Sequence, residues 1–192
     1  MRRKSVLRIV CEVAAGVLLG LDAGSPTMAR AENSQWQETR PAFRIQADTR
    51  RNRVWVLSLH GVFIYDGPTR KLLKRVDLPN WTVVNVNKMF MCAPDLVLAA
   101  SGTALVTSNI LPIIWEIDAE SLAVRQHNLV PDADRDKDFG FAALYFGRGG
   151  RELLGASSPP GSVWRIDLAA DKAQKVQLSK QVRGDCGLDL QQ

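Results

Sequence analysis

Four aspartates alternate through one short stretch, DADRDKDFG: Asp132, Asp134, Asp136 and Asp138. Alternating carboxylates on a loop can wrap a hard cation such as Ca²⁺, which takes about six to eight oxygen ligands. The spacing departs from a calcium loop at two places. With Asp132 as the first position, the sixth is Lys137, where a glycine makes the turn, and the twelfth is Ala143, where a glutamate binds through both oxygens. Arg135 and Lys137 also offset part of the negative charge. Two readings follow: a Ca²⁺ site, the one cofactor this sequence suggests, and a solvated connection between structural units. The departures favour the connection.

The other reactive side chains are sparse. There are two histidines, His60 and His127, and neither lies in HExxH or beside a nucleophile motif. GxSxG, GxGxxG, a P-loop and CxxC are all absent from the sequence, so no catalytic residue can be assigned. The GRGG run at 147–150 joins two apolar stretches and reads as a turn rather than a phosphate cradle. Of the three cysteines, Cys11 falls in the N-terminal segment, which leaves Cys92 and Cys186 as a candidate disulfide. Such a bridge would close a long loop and stabilise by roughly 4 kcal/mol in the chain-entropy model. The alternative is two separate thiols, with Cys92 in the core behind the apolar MFM run.

Oxidising surroundings would suit that bridge, and the N-terminus points to export. MRRK is a positive n-region, VAAGVLLGL at 13–21 a short apolar core, and Ala29-Arg30-Ala31 a small-x-small cleavage pattern. The apolar run is too short for a bilayer, which takes about 20 residues. Residues 1–31 are therefore expected to be a signal peptide, and the mature protein periplasmic or secreted, with no membrane span. Without that segment 20 basic residues face 18 acidic ones. Such a balance gives no argument for nucleic acid or an anionic membrane as a partner, and neither is expected. The first part of the mature chain is locally basic, with Arg50, Arg51, Arg53, Arg70, Lys71, Lys74 and Arg75. These are expected on solvated strand faces, the alternative being a surface for an acidic partner.

The elements that hold these residues read as strands. Residues 32–41 are a polar lead-in. After them, alternating and continuous apolar runs separated by Gly, Pro and Asp turns predict an all-β domain over 42–192. Strands are expected at 42–46, 54–59, 62–65, 71–78, 83–86, 96–100, 104–107, 113–117, 123–129, 141–146, 152–156, 163–166 and 173–178, with a tail strand near 182–190. One outline recurs three times: FIYD at 63–66, WEID at 115–118 and WRID at 164–167, each followed by a polar turn and a second strand. A recurrence of about 50 residues marks a repeat architecture. The units are about 42–80, 81–131 and 132–180. Asp66, Asp118 and Asp167 are expected to end a strand and bond the backbone of the next turn. Trp55, Trp115 and Trp164 are expected between units, and Trp36 outside them.

The stretch GVFIYDGPTRKLLKRVDLP at 61–79, echoed by GRELLGASSPPGSVWRIDLAADKAQKV at 150–176, resembles the repeat of YVTN-type and NHL-type β-propellers. The likeness covers roughly 43–180. It implies four-stranded antiparallel sheets arranged as blades, here three clear units plus a tail strand. Rings usually close with about four to eight blades, so the expectation includes a compact ring, an open arc that pairs as a homodimer, and a shortened relative of a larger propeller. In function the resemblance implies an exported, non-enzymatic module that binds a protein partner or small ligand. The alternatives are a metal-assisted enzyme of the lactone hydrolase or lyase kind, with carboxylates or imidazoles converging at the centre, and a degenerate fragment of a larger propeller.

Overall fold

The computed structural model describes residues 41–83, 92–133, 139–150, 152–158 and 162–178. The signal segment, the tail strand, Trp36, the first expected strand of the second unit from 84 onward, and Asp134, Asp136 and Asp138 lie outside these residues. The described chain is all β apart from a 3₁₀ turn at Arg148–Gly150. Among the described residues no helix is long and apolar enough to cross a membrane.

Three antiparallel sheets follow one another. Blade 1 is β1 (Ala42–Asp48), β2 (Arg53–Ser58), β3 (Gly61–Asp66) and β4 (Leu72–Val76), in that spatial order. Blade 2 is β5 (Leu96–Leu98), β6 (Ala104–Thr107), β7 (Ile113–Ile117) and β8 (Val124–Asn128), again in order. A two-residue strand, β9 (Val130–Pro131), then leads to blade 3: β10 (Gly140–Phe146), β11 (Leu153–Ser158), β12 (Val163–Asp167) and β13 (Lys172–Lys175). β9 was not expected. It pairs parallel to β13 and makes blade 3 five-stranded. The seam is main-chain: Val130 N–H donates to Asp171 O at 2.8 Å and Asp132 N–H to Ala173 O at 3.0 Å. Pro131, between them, has no N–H to give and sits on the sheet edge, where a proline is tolerated. Two residues carry no periodicity by which a strand could be recognised.

The central strands are continuously apolar because both faces are covered. Along β3 the first five residues are buried, and along β7 all but Glu116. Alternate side chains leave opposite faces of a strand. Trp55, Val62 and Ile64 therefore meet Val106, Trp115 and Ile117 between blades 1 and 2. From the opposite face of blade 2, Leu105 and Ile114 meet Phe141, Trp164 and Ile166 of blade 3. The three tryptophans lie between blades as expected, at most 1% exposed. Trp115 donates its indole N–H to Pro79 O at 3.0 Å and meets Trp81 edge-on, while Trp164 stacks on Phe139 at 4.7 Å.

One turn is built three times. Asp66 Oδ1 accepts from Thr69 N–H at 2.8 Å, Asp118 Oδ1 from Ser121 N–H at 2.7 Å, and Asp167 Oδ1 from Ala170 N–H at 3.0 Å. The residue four beyond each aspartate takes a left-handed conformation: Arg70 (φ 58°), Leu122 (φ 57°) and Asp171 (φ 51°). The expected role of the recurring aspartate is thus met in every copy. Thr69, through its hydroxyl and then its N–H, holds the Asp66 carboxyl below the usual carboxylate range. Ser121, through its N–H and then its hydroxyl, does the same for Asp118.

Candidate functional site

The first strands of the three blades meet around Asp95, which is 2% exposed. Arg44 Nε of β1 donates to its Oδ1 at 2.5 Å, Leu96 N–H to the same oxygen at 2.9 Å, and Leu144 N–H of β10 to Oδ2 at 3.0 Å. Asp95 N–H in turn donates to Thr107 Oγ1 at 2.7 Å. A buried carboxylate needs such compensation. Here it ties all three blades together, and both oxygens are engaged. In the sequence Pro94-Asp95 reads as a turn between apolar strands. The one signal for it was a charged residue directly before the apolar Leu96–Leu98 strand.

The basic cluster of blade 1 divides: Arg50, Arg70, Lys71, Lys74 and Arg75 are exposed, as expected, while Arg51 and Arg53 are half-buried. The turn after β1 docks on blade 2. Arg51 bridges Asp48 at 3.1 Å and Glu120 at 2.6 Å, Arg50 donates to Ala100 O at 2.9 Å, and Arg53 to Ala119 O at 2.5 Å. Arg75 lies over the Phe63 ring and pairs with Asp77 at 3.0 Å. The arginines reach backbone carbonyls and carboxylates of the neighbouring blade because a guanidinium offers several donors in one plane.

The contact between blades 2 and 3 is built differently. His127, 1% exposed on β8, has a carboxylate at each ring nitrogen: Asp171 Oδ1 is 2.6 Å from Nδ1 and Glu116 Oε2 is 3.1 Å from Nε2. Glu116 belongs to blade 2, and Asp171 to the turn between β12 and β13 of blade 3. His127 falls within the strand expected at 123–129, and its two carboxylate partners come from outside that strand. Phe141 N–H donates to Ser108 O at 2.8 Å, and a Cβ on Gly140 would lie 2.3 Å from that same carbonyl. Backbone therefore meets backbone here, and Gly140 is required by the approach.

A cleft of about 800 Å³ adjoins this seam. Its lining includes Leu105 of blade 2 and Phe146, Leu153, Ile166, Leu168 and Lys172 of blade 3. The Glu152–Arg165 ion pair, 2.6 Å apart, also borders it. Leu105 is the cross-strand partner of Glu116, and Ala170 and Lys172 flank Asp171. The histidine bridge thus stands beside the cleft.

The remaining candidates separate. Asp132 Oδ1 accepts Lys175 N–H at 2.9 Å and so fastens β9 to β13, while Asp134, Asp136 and Asp138, the rest of the calcium candidate, lie outside the described residues. No group of three or more metal-ligating side chains occurs among the described residues. Cys92 is buried, 3% exposed, and disulfide-bonded. Cys186 lies outside the described residues. His60 sits exposed at the β2–β3 turn, its N–H donating to Ser58 Oγ at 3.1 Å.

No family model matches the chain, and no curated protein matches it. Solved structures do. The extracellular domain of a putative hybrid two-component system from B. thetaiotaomicron superposes with a TM-score of 0.52 at 14% identity, covering 72% of this chain and 17% of that one. A second, described as the extracellular domain of a putative one-component system from the same organism, gives 0.50 at 14% identity, covering 72% and 16%. Dihydro-heme d1 dehydrogenase NirN in complex with DHE gives 0.35 at 14% identity, covering 71% and 37%. At this identity the likeness concerns fold: the chain shares a propeller-like, all-β architecture and spans about a sixth of the two extracellular domains.

Proposed function

We propose that this chain is an exported, non-enzymatic propeller-type module that binds a protein partner or a small ligand. The observation that carries the proposal is the cleft beside the blade 2–blade 3 seam, whose size of about 800 Å³ falls in the range of ligand sites. Asp95 supports it from the other side. The carboxylate where the inner strands meet has both oxygens engaged, which leaves it poorly placed to act as a base or metal ligand. The YVTN/NHL type of repeat is supported by the Asp turn built in all three blades. Export is supported by the N-terminal signal pattern, by the disulfide at Cys92, and by two structural neighbours that are extracellular domains. Cys186 is the proposed partner of Cys92.

Both halves can be tested on one preparation. The full-length gene is expressed with export, and the secreted product is analysed by intact mass and peptide mapping. A chain beginning at Glu32 with a Cys92–Cys186 peptide is expected; an uncleaved chain or two free thiols contradicts export or the pairing. The same product, methyl-labelled, is titrated with a library of small molecules and followed by NMR. Saturable shifts of the Leu105, Leu153 and Ile166 methyls are expected. Turnover of a library compound, or ligands that bind only elsewhere, overturns the binding-module proposal.

A further inference from the structure

The repeat makes the two seams comparable position by position. Two residues before the turn aspartate stand Ile64 in blade 1 and Glu116 in blade 2. Opposite the residue four before it stand Val76, paired with Val62, and His127, paired with Ile114. Four residues after the aspartate of the following blade stand Leu122 and Asp171. At the first seam these three positions are Ile64, Val76 and Leu122, all in one apolar cluster. At the second seam the same three positions are Glu116, His127 and Asp171, joined through both nitrogens of one buried imidazole. The first seam is satisfied by an apolar set at these positions, so the polar set of the second is not demanded by the architecture.

The polar set has a proton requirement that the apolar set lacks. Ionised carboxylates only accept, and a neutral imidazole carries one N–H. Two hydrogen bonds therefore need two protons on the bridge, one more than a neutral imidazole supplies. Among side chains, imidazole is the one that ordinarily exchanges a proton in the physiological pH range. The other charged groups near the bridge are Arg125, cross-strand partner of Glu116 on β8, and Lys172, which follows Asp171. The facing residues of blade 3 in this cluster, Trp164, Ile166 and Ala173, do not titrate.

We infer that Glu116, His127 and Asp171 form a protonation-dependent latch between blades 2 and 3 that sets the opening of the adjoining cleft. With both ring nitrogens protonated, the two blades are clamped through the imidazole. Loss of one proton to solvent leaves a single hydrogen bond and releases one arm. When Asp171 is the arm released, its turn, which also carries the Asp171 O to Val130 N–H bond of the parallel strand, is freer to move away from Leu105. The regulatory meaning rests on the proposal that the cleft binds a ligand; the latch itself does not.

The test uses the full exported chain, methyl-labelled, over about pH 5 to 8. The His127 ring resonances and the Leu105, Leu153 and Ile166 methyls should move together. Asp171→Asn keeps size and tolerates the left-handed backbone, so it should fold, and it should cut the methyl response by about half or more. His127→Gln should abolish it. Methyls that respond equally in wild type and both variants, or stay still while His127 titrates, overturn the latch. The probe 1-anilinonaphthalene-8-sulfonate separates the two claims. A several-fold pH-dependent affinity at the cleft methyls, lost in His127→Gln, supports both. Binding with equal affinity across the range overturns the latch alone. Co-titrating methyls that no probe ever perturbs overturn the binding proposal and leave the latch standing.

Discussion

The seam between blades 1 and 2 and the seam between blades 2 and 3 use one geometry with two chemistries. The first is a continuous apolar cluster centred on Trp55 and Trp115, with Leu122 packed against it and arginines fastening its edge. The second has an apolar middle but also a backbone-to-backbone approach at Gly140, an exchanged parallel strand and a buried imidazole between carboxylates. Apolar burial holds at any pH and tolerates little loss of volume. A charged imidazole buried at 1% exposure is costly to desolvate, and its worth depends on its two half-exposed carboxylate partners. The first seam is thus suited to holding the molecule together, and the second to responding.

The largest effect should come from the first seam. Trp115→Ala removes a side chain 1% exposed, its bond to Pro79 O and its edge contact with Trp81. Loss of about 3–5 kcal/mol is expected in urea denaturation. A loss below about 1 kcal/mol, the size of a surface substitution, would mean that the seam is not the stabilising one.

Next in size is a conversion of the second seam into the first. The triple variant Glu116→Ile, His127→Val, Asp171→Leu installs the apolar set found one blade earlier. Replacing a fully buried ionic set by apolar residues of similar volume is neutral or gains about 1–4 kcal/mol; here only His127 is buried, while the Glu116 and Asp171 side chains are 37% and 43% exposed, which puts the change at the neutral end. Leucine in a left-handed turn gives back about 1–2 kcal/mol, a cost already accepted at Leu122. Stability equal to or slightly below wild type is expected, with no change across neutral pH. A variant that unfolds would show that the polar set is needed for the fold after all.

What the sequence disclosed follows from the range of each interaction. The Asp turns were legible because donor and acceptor lie three residues apart, as in Asp118 with Ser121. The tryptophans were legible because continuous apolar strands need cover on both faces. The latch was not, because Asp171 and His127 are 44 residues apart, and only the stacking of blades brings them together. It could be suspected only by aligning the repeats and noticing charge where the first copy has Ile64 and Val76. Asp95 is hidden for the same reason, since its partners Arg44 and Leu144 lie 51 and 49 residues away. The inter-blade contacts of Arg50, Arg51 and Arg53 were not legible because charge alone does not say whether a carbonyl of the next blade lies within reach.

The smallest effect concerns acid and separates the seams by pH. The Asp118 turn carries Ala119, Glu120 and Leu122 onto blade 1, where Arg53, Arg51 and the apolar cluster receive them. Ser121 and Glu120 hold the Asp118 carboxyl below its ordinary value of 3.8. A carboxylate with a depressed folded value contributes fully above its unfolded value and loses that contribution as pH falls through the folded one. The stability difference between wild type and Asp118→Asn should therefore be constant above about pH 5 and shrink only in the acid range. Chemical denaturation of both proteins from neutral to acidic pH checks this. A difference that already varies between pH 5 and 8 would place a neutral-range titration on the first seam, and the two seams would no longer be distinguished by where they respond.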